Sequence, residues 1–137
     1  MPRQIYINLP VADLKKSINF YTAIGAKQNM QFSDDTAACM VISDTIYVML
    51  LSRDKVSMFT DKSLTDTRTH VQMWMTLSAD SRAEVDSTVE AARKAGGKSD
   101  VNAPDEYDFM YGRSFEDVDG HMWGINYLDL SKLPQPA

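Results

Sequence analysis

Between Gln4 and Leu9 polar and apolar side chains alternate, with Gln4, Tyr6 and Asn8 on one side and Ile5, Ile7 and Leu9 on the other. A period of two marks a half-buried strand, which Pro10 is expected to end. The period then changes. Asp13 suits a helix N-cap, and Leu14, Ile18, Tyr21 and Ile24 follow at helical spacing up to a stop at Gly25. Three further strands are expected over Lys27–Phe32, Ala37–Ser43 and Thr45–Leu51, separated by the polar turns at Ser33–Asp35 and Ser43–Asp44. Ser52–Thr69 is mostly polar, with Val56, Met58 and Phe59 as a short helical anchor. A loop of that length is either a binding segment or a plain linker.

The same order then recurs. His70–Leu77 alternates, setting Val71, Met73, Met75 and Leu77 against His70, Gln72, Trp74 and Thr76. Ser81 and Glu84 form a capping-box pattern, and Val85, Val89 and Ala92 line one face of a helix that Gly96-Gly97 stops. Strands are expected over Lys98–Val101, Phe109–Glu116 and Met122–Leu128, the last two joined by the turn Asp117–Gly120. The chain thus divides into a module at 1–52, a connection at 53–69, a second module at 70–129 and a tail at 130–137. Each module reads β-α-β-β-β, which makes the class α+β.

Composition narrows the partners. With 44% hydrophobic and 24% charged residues the chain has ordinary globular composition, and its net charge is −5. An acidic surface repels phosphates, so nucleic acid is not an expected partner. No run approaches the ~20 apolar residues of a membrane span, and the N-terminal residues do not read as a leader peptide. A cytoplasmic location without membrane attachment is the expectation. Cys39 is the only cysteine, so neither an intrachain disulfide nor a cysteine-rich zinc site is open to this chain. Cys39 and most of the nine methionines read as core.

Two stretches carry a resemblance. Val11-Ala12-Asp13-Leu14 followed by Ser17-Ile18-Asn19-Phe20-Tyr21 and Gly25 resembles the opening V-x-D-L, S-x-x-F-Y and glycine of vicinal-oxygen-chelate proteins, the glyoxalase/bleomycin-resistance superfamily. Phe115-Glu116-Asp117-Val118-Asp119-Gly120-His121 resembles the closing F-x-D-P-D-G-N turn of that superfamily, with Val118 in place of proline. The resemblance implies two βαβββ modules whose eight strands curve into an open cleft, and a homodimer. It also implies one of several chemistries: glutathione-dependent lyase or isomerase reactions, extradiol ring cleavage, epimerisation, or antibiotic sequestration or inactivation.

Enzymes of that superfamily hold a divalent metal with His and Glu, leaving coordination positions open for substrate. The first-strand histidine falls here on Tyr6, that of the second module on Trp74, and the last-strand glutamate on Gly124. The glutamate of the first module falls near Met49 or Leu50. Every expected position lacks its donor, so neither metal nor other cofactor is expected. His70 reads as a strand-edge or turn residue and His121 as a turn residue, or under a shifted alignment as ligands of a displaced metal. The resemblance implies that Tyr6, Trp74 and Gly124 face the cleft, with Gln4, Asn8, Gln72, Thr76 and Asn126 on the same faces and a gap over Gly124. Arg113 is a candidate for holding a ligand carboxylate or phosphate, or for an ion pair with one of the many acids. The expected ligand-binding set is Tyr6, Asn8, Trp74, Arg113 and Gly124, and it contains no assigned catalytic group. Three readings stand: a metal-free small-molecule binder, a lyase or extradiol-type dioxygenase with a displaced metal, and a dimeric accessory protein whose cleft is filled.

Overall fold

A computed structural model describes residues 2–133. The chain forms two compact units that part between His70 and Val71. Each is built on one mixed sheet.

The first unit runs β1 (Ile5–Val11), α1 (Leu14–Ala23), β2 (Lys27–Asn29), β3 (Ala37–Val41), β4 (Ile46–Ser52) and α2 (Arg53–Ser57). Its sheet has the order β1-β4-β3-β2, with β1 parallel to β4 and the other pairs antiparallel. Parallel pairing needs a crossover, and α1 supplies it. The Asp13 carboxylate caps that helix by accepting from the Lys16 N–H at 3.1 Å, and Gly25 ends it at φ +109°. The buried stripe of α1 is Ser17, Phe20 and Tyr21, rotated from the expected Leu14, Ile18 and Ile24, which are only half-buried. This stripe packs on β3 and β4, where Met40, Val48 and Leu50 are fully buried.

Several expected boundaries move. β1 continues through Pro10, because it is the edge strand of its sheet and a missing N–H there costs no ladder bond. The expected strand Lys27–Phe32 stops at Asn29, whose side chain accepts from the Gln31 N–H and turns Met30–Phe32 into a 3-10 helix. Val56 is half-buried, but Met58 and Phe59 are exposed, with the Lys55 ammonium 5.8 Å from the Phe59 ring centroid. The strand expected from His70 begins only at Trp74, since the His70 N–H is taken by the Asp66 carbonyl in a turn.

The second unit runs β5 (Trp74–Ala79), α3 (Arg82–Lys94), β6 (Lys98–Ser99), β7 (Asp105–Tyr107), β8 (Met110–Glu116) and β9 (Met122–Leu128). Its sheet has the order β5-β9-β8-β6, with β7 also on β8. The parallel pair β5/β9 repeats β1/β4. Val85, Val89 and Ala92 of α3 are buried as expected, together with Met75, Phe115, Trp123 and Ile125 of the sheet. One strand was not expected. β6 and β7 lie along successive stretches of the same edge of β8, one interrupted strand in place of a continuous one. The break is caused by Ser114: its carbonyl accepts from the Asp100 N–H at 2.7 Å and its hydroxyl from the Asn102 N–H at 2.9 Å. Asp100 sits at φ +54°, so the chain swings off the ladder there. Among the described residues the strands therefore number nine, in sheets of four and five, where eight were expected.

After β9, Leu130–Lys132 forms a single 3-10 turn, and the rest of the expected tail, 134–137, lies outside the described residues. Of the described methionines expected as core, Met40 and Met75 are buried and Met49, Met110 and Met122 half-buried, whereas Met30, Met58 and Met73 are exposed. No helix among the described residues is long and apolar enough to cross a membrane.

The capping of α3 is testable. The Ser81 hydroxyl accepts from the Glu84 N–H at 3.0 Å, and Glu84 returns a bond to the Asp80 N–H at 2.7 Å. Ser81→Ala is expected to lower unfolding free energy by ~1 kcal/mol, measured by urea denaturation, while Ser87→Ala on the exposed side of the same helix stays near wild type. Equal losses in the two variants would refute the cap.

Candidate functional sites on the helix-free sheet faces

Side chains paired across a ladder share a face of the sheet. In the first unit Tyr6 pairs with Tyr47, Asn8 with Met49, and Cys39 with both Met49 and Asn29. All stand opposite the face covered by α1. A cavity of about 310 Å³ opens there, lined by Tyr6, Asn29, Phe32, Cys39, Tyr47 and Met49. The Tyr6 and Tyr47 rings are stacked, with centroids 4.7 Å apart. Gln4 ties the ring tips, accepting from the Tyr6 hydroxyl at 3.1 Å and donating to the Tyr47 hydroxyl at 3.2 Å. Asn8 shares the face but does not line the cavity, and its amide donates to the Tyr6 carbonyl at 3.4 Å. Cys39, expected as plain core, is buried yet also forms cavity wall. Burial pushes its thiol pKa up, which leaves it a poor nucleophile at neutral pH.

In the second unit Thr76 pairs with Gly124, Gly124 with Ser114, and Gly112 with Asn126. This face lies opposite α3 and carries a cavity of about 340 Å³. Trp74, Thr76 and Asn126 form part of its wall, and the loop residues Asn102 and Ala103, with Asp105 of β7, close it. Trp74 is 53% exposed. Gly124 lines the cavity but leaves no open gap. A β-carbon there would lie 2.9 Å from the Thr76 hydroxyl oxygen and 3.4 Å from Trp74 Nε1, so the neighbouring side chains already occupy the space. Asn126 likewise lies over Gly112, where a β-carbon would collide with its amide oxygen.

Arg113 borders this cavity, but its guanidinium lies on the other side of the sheet. It gives Asp100 two bonds, at 2.9 and 2.8 Å, and Asp86 of α3 one at 3.0 Å, with Glu90 at 3.6 Å. Of the two expectations for Arg113, ligand clamp or ion pair, the geometry is that of the ion pair. Tyr111 joins the network, its hydroxyl donating to Asp86 at 2.6 Å. The bonds from Tyr111 and then Arg113 hold the Asp86 carboxyl below its ordinary range, and the Arg113 bonds do the same for Asp100.

The histidines occupy turns. His70 is exposed, with Nδ1 2.8 Å from the Thr69 hydroxyl. His121 is buried in the closing turn, where the Asp117 carboxylate accepts from the backbone N–H groups of Asp119 and His121, as expected of a turn-former. Among the described residues no three His, Cys, Asp or Glu side chains come together as a metal-holding group. The superfamily's metal does not fit the residues present, since rings, a glycine and a thioether are not the oxygen and imidazole donors that a divalent ion needs.

Sequence reasoning found Tyr6, Trp74, Thr76 and Asn126 on these faces. It did not assign Tyr47, Phe32 or Asp105 to them. Tyr47 reaches this face through its pairing with Tyr6, a long-range register that the alternation of its own strand does not reveal. Phe32 and Asp105 lie in a 3-10 turn and an interrupted strand, which leave no periodic trace.

Two sheets, each with a parallel pair and one covering helix, are the frame of a doubled βαβββ protein. The chain belongs to the glyoxalase/bleomycin resistance protein/dioxygenase superfamily, whose family model matches residues 3–125. No curated protein matches it. Among solved structures it is similar to a hypothetical protein from S. aureus, at 29% identity and TM-score 0.78 over 93% of this chain and 95% of that one. It is also similar in fold to a glyoxalase/bleomycin resistance protein/dioxygenase family enzyme from Burkholderia phytofirmans, at 16% identity and TM-score 0.74 over 93% and 99% of the two chains. The fosfomycin resistance protein FosX from Listeria monocytogenes matches at 19% identity and TM-score 0.69, over 96% and 97%.

The Arg113 network makes a pH prediction. Carboxylates with depressed pKa stabilise the fold above their ordinary value of 3.8 and lose that contribution as pH falls through the depressed one. Arg113→Met is expected to cost about 1–3 kcal/mol at neutral pH, and the gap to wild type to narrow as pH falls below 3.8 through the lowered carboxyl pKa values. A gap that stays the same size as pH is lowered from 7 until both carboxyls are protonated, measured by denaturant titration, would show that ionised carboxylates do not carry it.

Proposed function

We propose that this protein binds a small organic molecule without a metal ion, on the helix-free sheet faces that carry Tyr6 and Trp74. The observation supporting the reading is the exchange at the superfamily's donor positions. Tyr6 and Trp74 stand where histidines are expected, each lines a cavity, and Gly124 stands in place of the glutamate. An aromatic ring beside hydrogen-bonding groups such as Thr76 and Asn126 suits a ligand with a flat part and a polar part. No reaction is assigned. Cytoplasmic residence, expected because no leader-like or membrane-spanning run is read in the sequence, and homodimer formation, which the family resemblance implies, belong to the same proposal.

Fluorescence tests the reading, because the chain has only two tryptophans and Trp123 is 1% exposed. Nitroaromatic quenchers are expected to reduce wild-type emission saturably and to leave Trp74→Phe nearly unchanged. Equal quenching of both proteins would remove Trp74 from the site. Metal analysis of protein purified without chelator, repeated after adding Zn, Fe, Mn or Ni, is the second arm. Stoichiometric metal held with sub-micromolar Kd would overturn the metal-free reading in favour of a displaced site.

A further inference from the structure

The second unit's cavity has one unanswered charge. Of the residues lining it, only Asp105 and Arg113 are formally charged. The Arg113 guanidinium is committed to Asp86 and Asp100 on the helix side of the sheet. Asp105 pairs with Gly112 on the ladder, which puts its side chain on the cavity face. The next residue, Glu106, pairs with Tyr111 on the opposite face and is taken by Arg82 at 3.2 Å. Alternation along β7 thus separates two acids: Glu106 has its cation, whereas no ion-pair or hydrogen-bond partner holds the Asp105 carboxylate among the described residues.

The rest of the wall agrees with this. Thr76, Asn102, Ser114 and Asn126 are neutral hydrogen-bonding residues, and Trp74 contributes a half-exposed ring whose face attracts positive charge. A phosphate or carboxylate ligand would meet Asp105 with no cation to offset it. A bare divalent ion would find one carboxylate and neutral groups, too few hard donors for a tight site. The net charge of −5 adds long-range attraction for positively charged molecules.

We propose that this cavity is a subsite for an organic cation: an ammonium, amidinium or guanidinium group pairs with Asp105 while an attached flat portion lies on Trp74. This rests on the small-molecule reading and gives it a chemical class. Asn126 and Thr76 supply hydrogen bonds to the polar part between these anchors.

The test uses one scaffold with three charges: 4-nitrobenzylamine, protonated at neutral pH, 4-nitrobenzyl alcohol and 4-nitrophenylacetate. Each is titrated into wild type, Asp105→Asn and Asp108→Asn at low salt, reading Trp74 quenching against a Trp74→Phe blank and confirming by calorimetry. Asp108 is exposed and does not line the cavity, so its variant controls for net charge. The amine is expected to bind about threefold to tenfold more tightly than the alcohol, with the acid weakest. Asp105→Asn is expected to erase the amine's advantage and leave the alcohol unchanged, while Asp108→Asn keeps it. Equal affinity for amine and alcohol in wild type, or an advantage that survives Asp105→Asn, overturns the cation subsite and leaves the binding reading in place. No saturable binding by any of the three overturns both.

Discussion

A four- or five-stranded sheet has two faces, and each unit of this protein has only one long helix to cover them. The parallel pairs β1/β4 and β5/β9 require a crossover connection, and that crossover is the helix itself, so α1 and α3 each pack on one side. Their sides take the apolar load: Met40, Val48 and Leu50 under α1, and Phe115, Trp123 and Ile125 under α3. Burial of such side chains contributes roughly 1.5–3 kcal/mol each, which is where folding free energy is concentrated. The opposite faces are relieved of that task. Their residues are free to serve recognition, and both cavities lie there.

The network around Arg113 shows how firmly the two faces are separated in the second unit. A guanidinium on the helix side of a sheet is costly unless its donors are met, and Asp86 and Asp100 meet them. The same bonds join α3 to β8 and fix the loop that follows β6. That loop, held also by Ser114, brings Asn102 and Asp105 to the cavity. One structural arrangement therefore takes the arginine away from the cavity face and places an acid on it. The charge of the cavity is a consequence of how the edge strand is broken.

Legibility in the sequence followed the same division. The Asp13 and Ser81 caps, the Gly25 stop, the buried Val85–Val89–Ala92 stripe and strand β9 were all readable, because periodicity and capping chemistry are local. The exposed rings at positions 6 and 74 followed from alternation together with the family resemblance. What escaped depended on distant partners. Nothing within Lys98–Tyr107 announces that Ser114 will capture two backbone N–H groups and split a strand. Arg113 had two open readings because its face depends on strand parity, and its fate depends on acids donated by a helix and a loop. His70 was assigned to a strand since the pattern alternates across it, while the turn from Asp66 that claims its N–H lies outside the pattern.

Packing around Gly124 explains why the donor exchange involves more than one position. A β-carbon at 124 would press on the Thr76 hydroxyl and reach contact distance with the Trp74 indole. Any side chain at that position would therefore start out pressed against Thr76 and the Trp74 indole. With glycine at 124 the ring and the threonine settle over bare backbone, and the wall closes without a donor. Restoring a glutamate alone would force Thr76 or Trp74 to move. A histidine alone at 74 would leave unfilled the space that the indole now takes. The ring and the glycine thus act as a matched pair, and a metal-binding face would require both to change together.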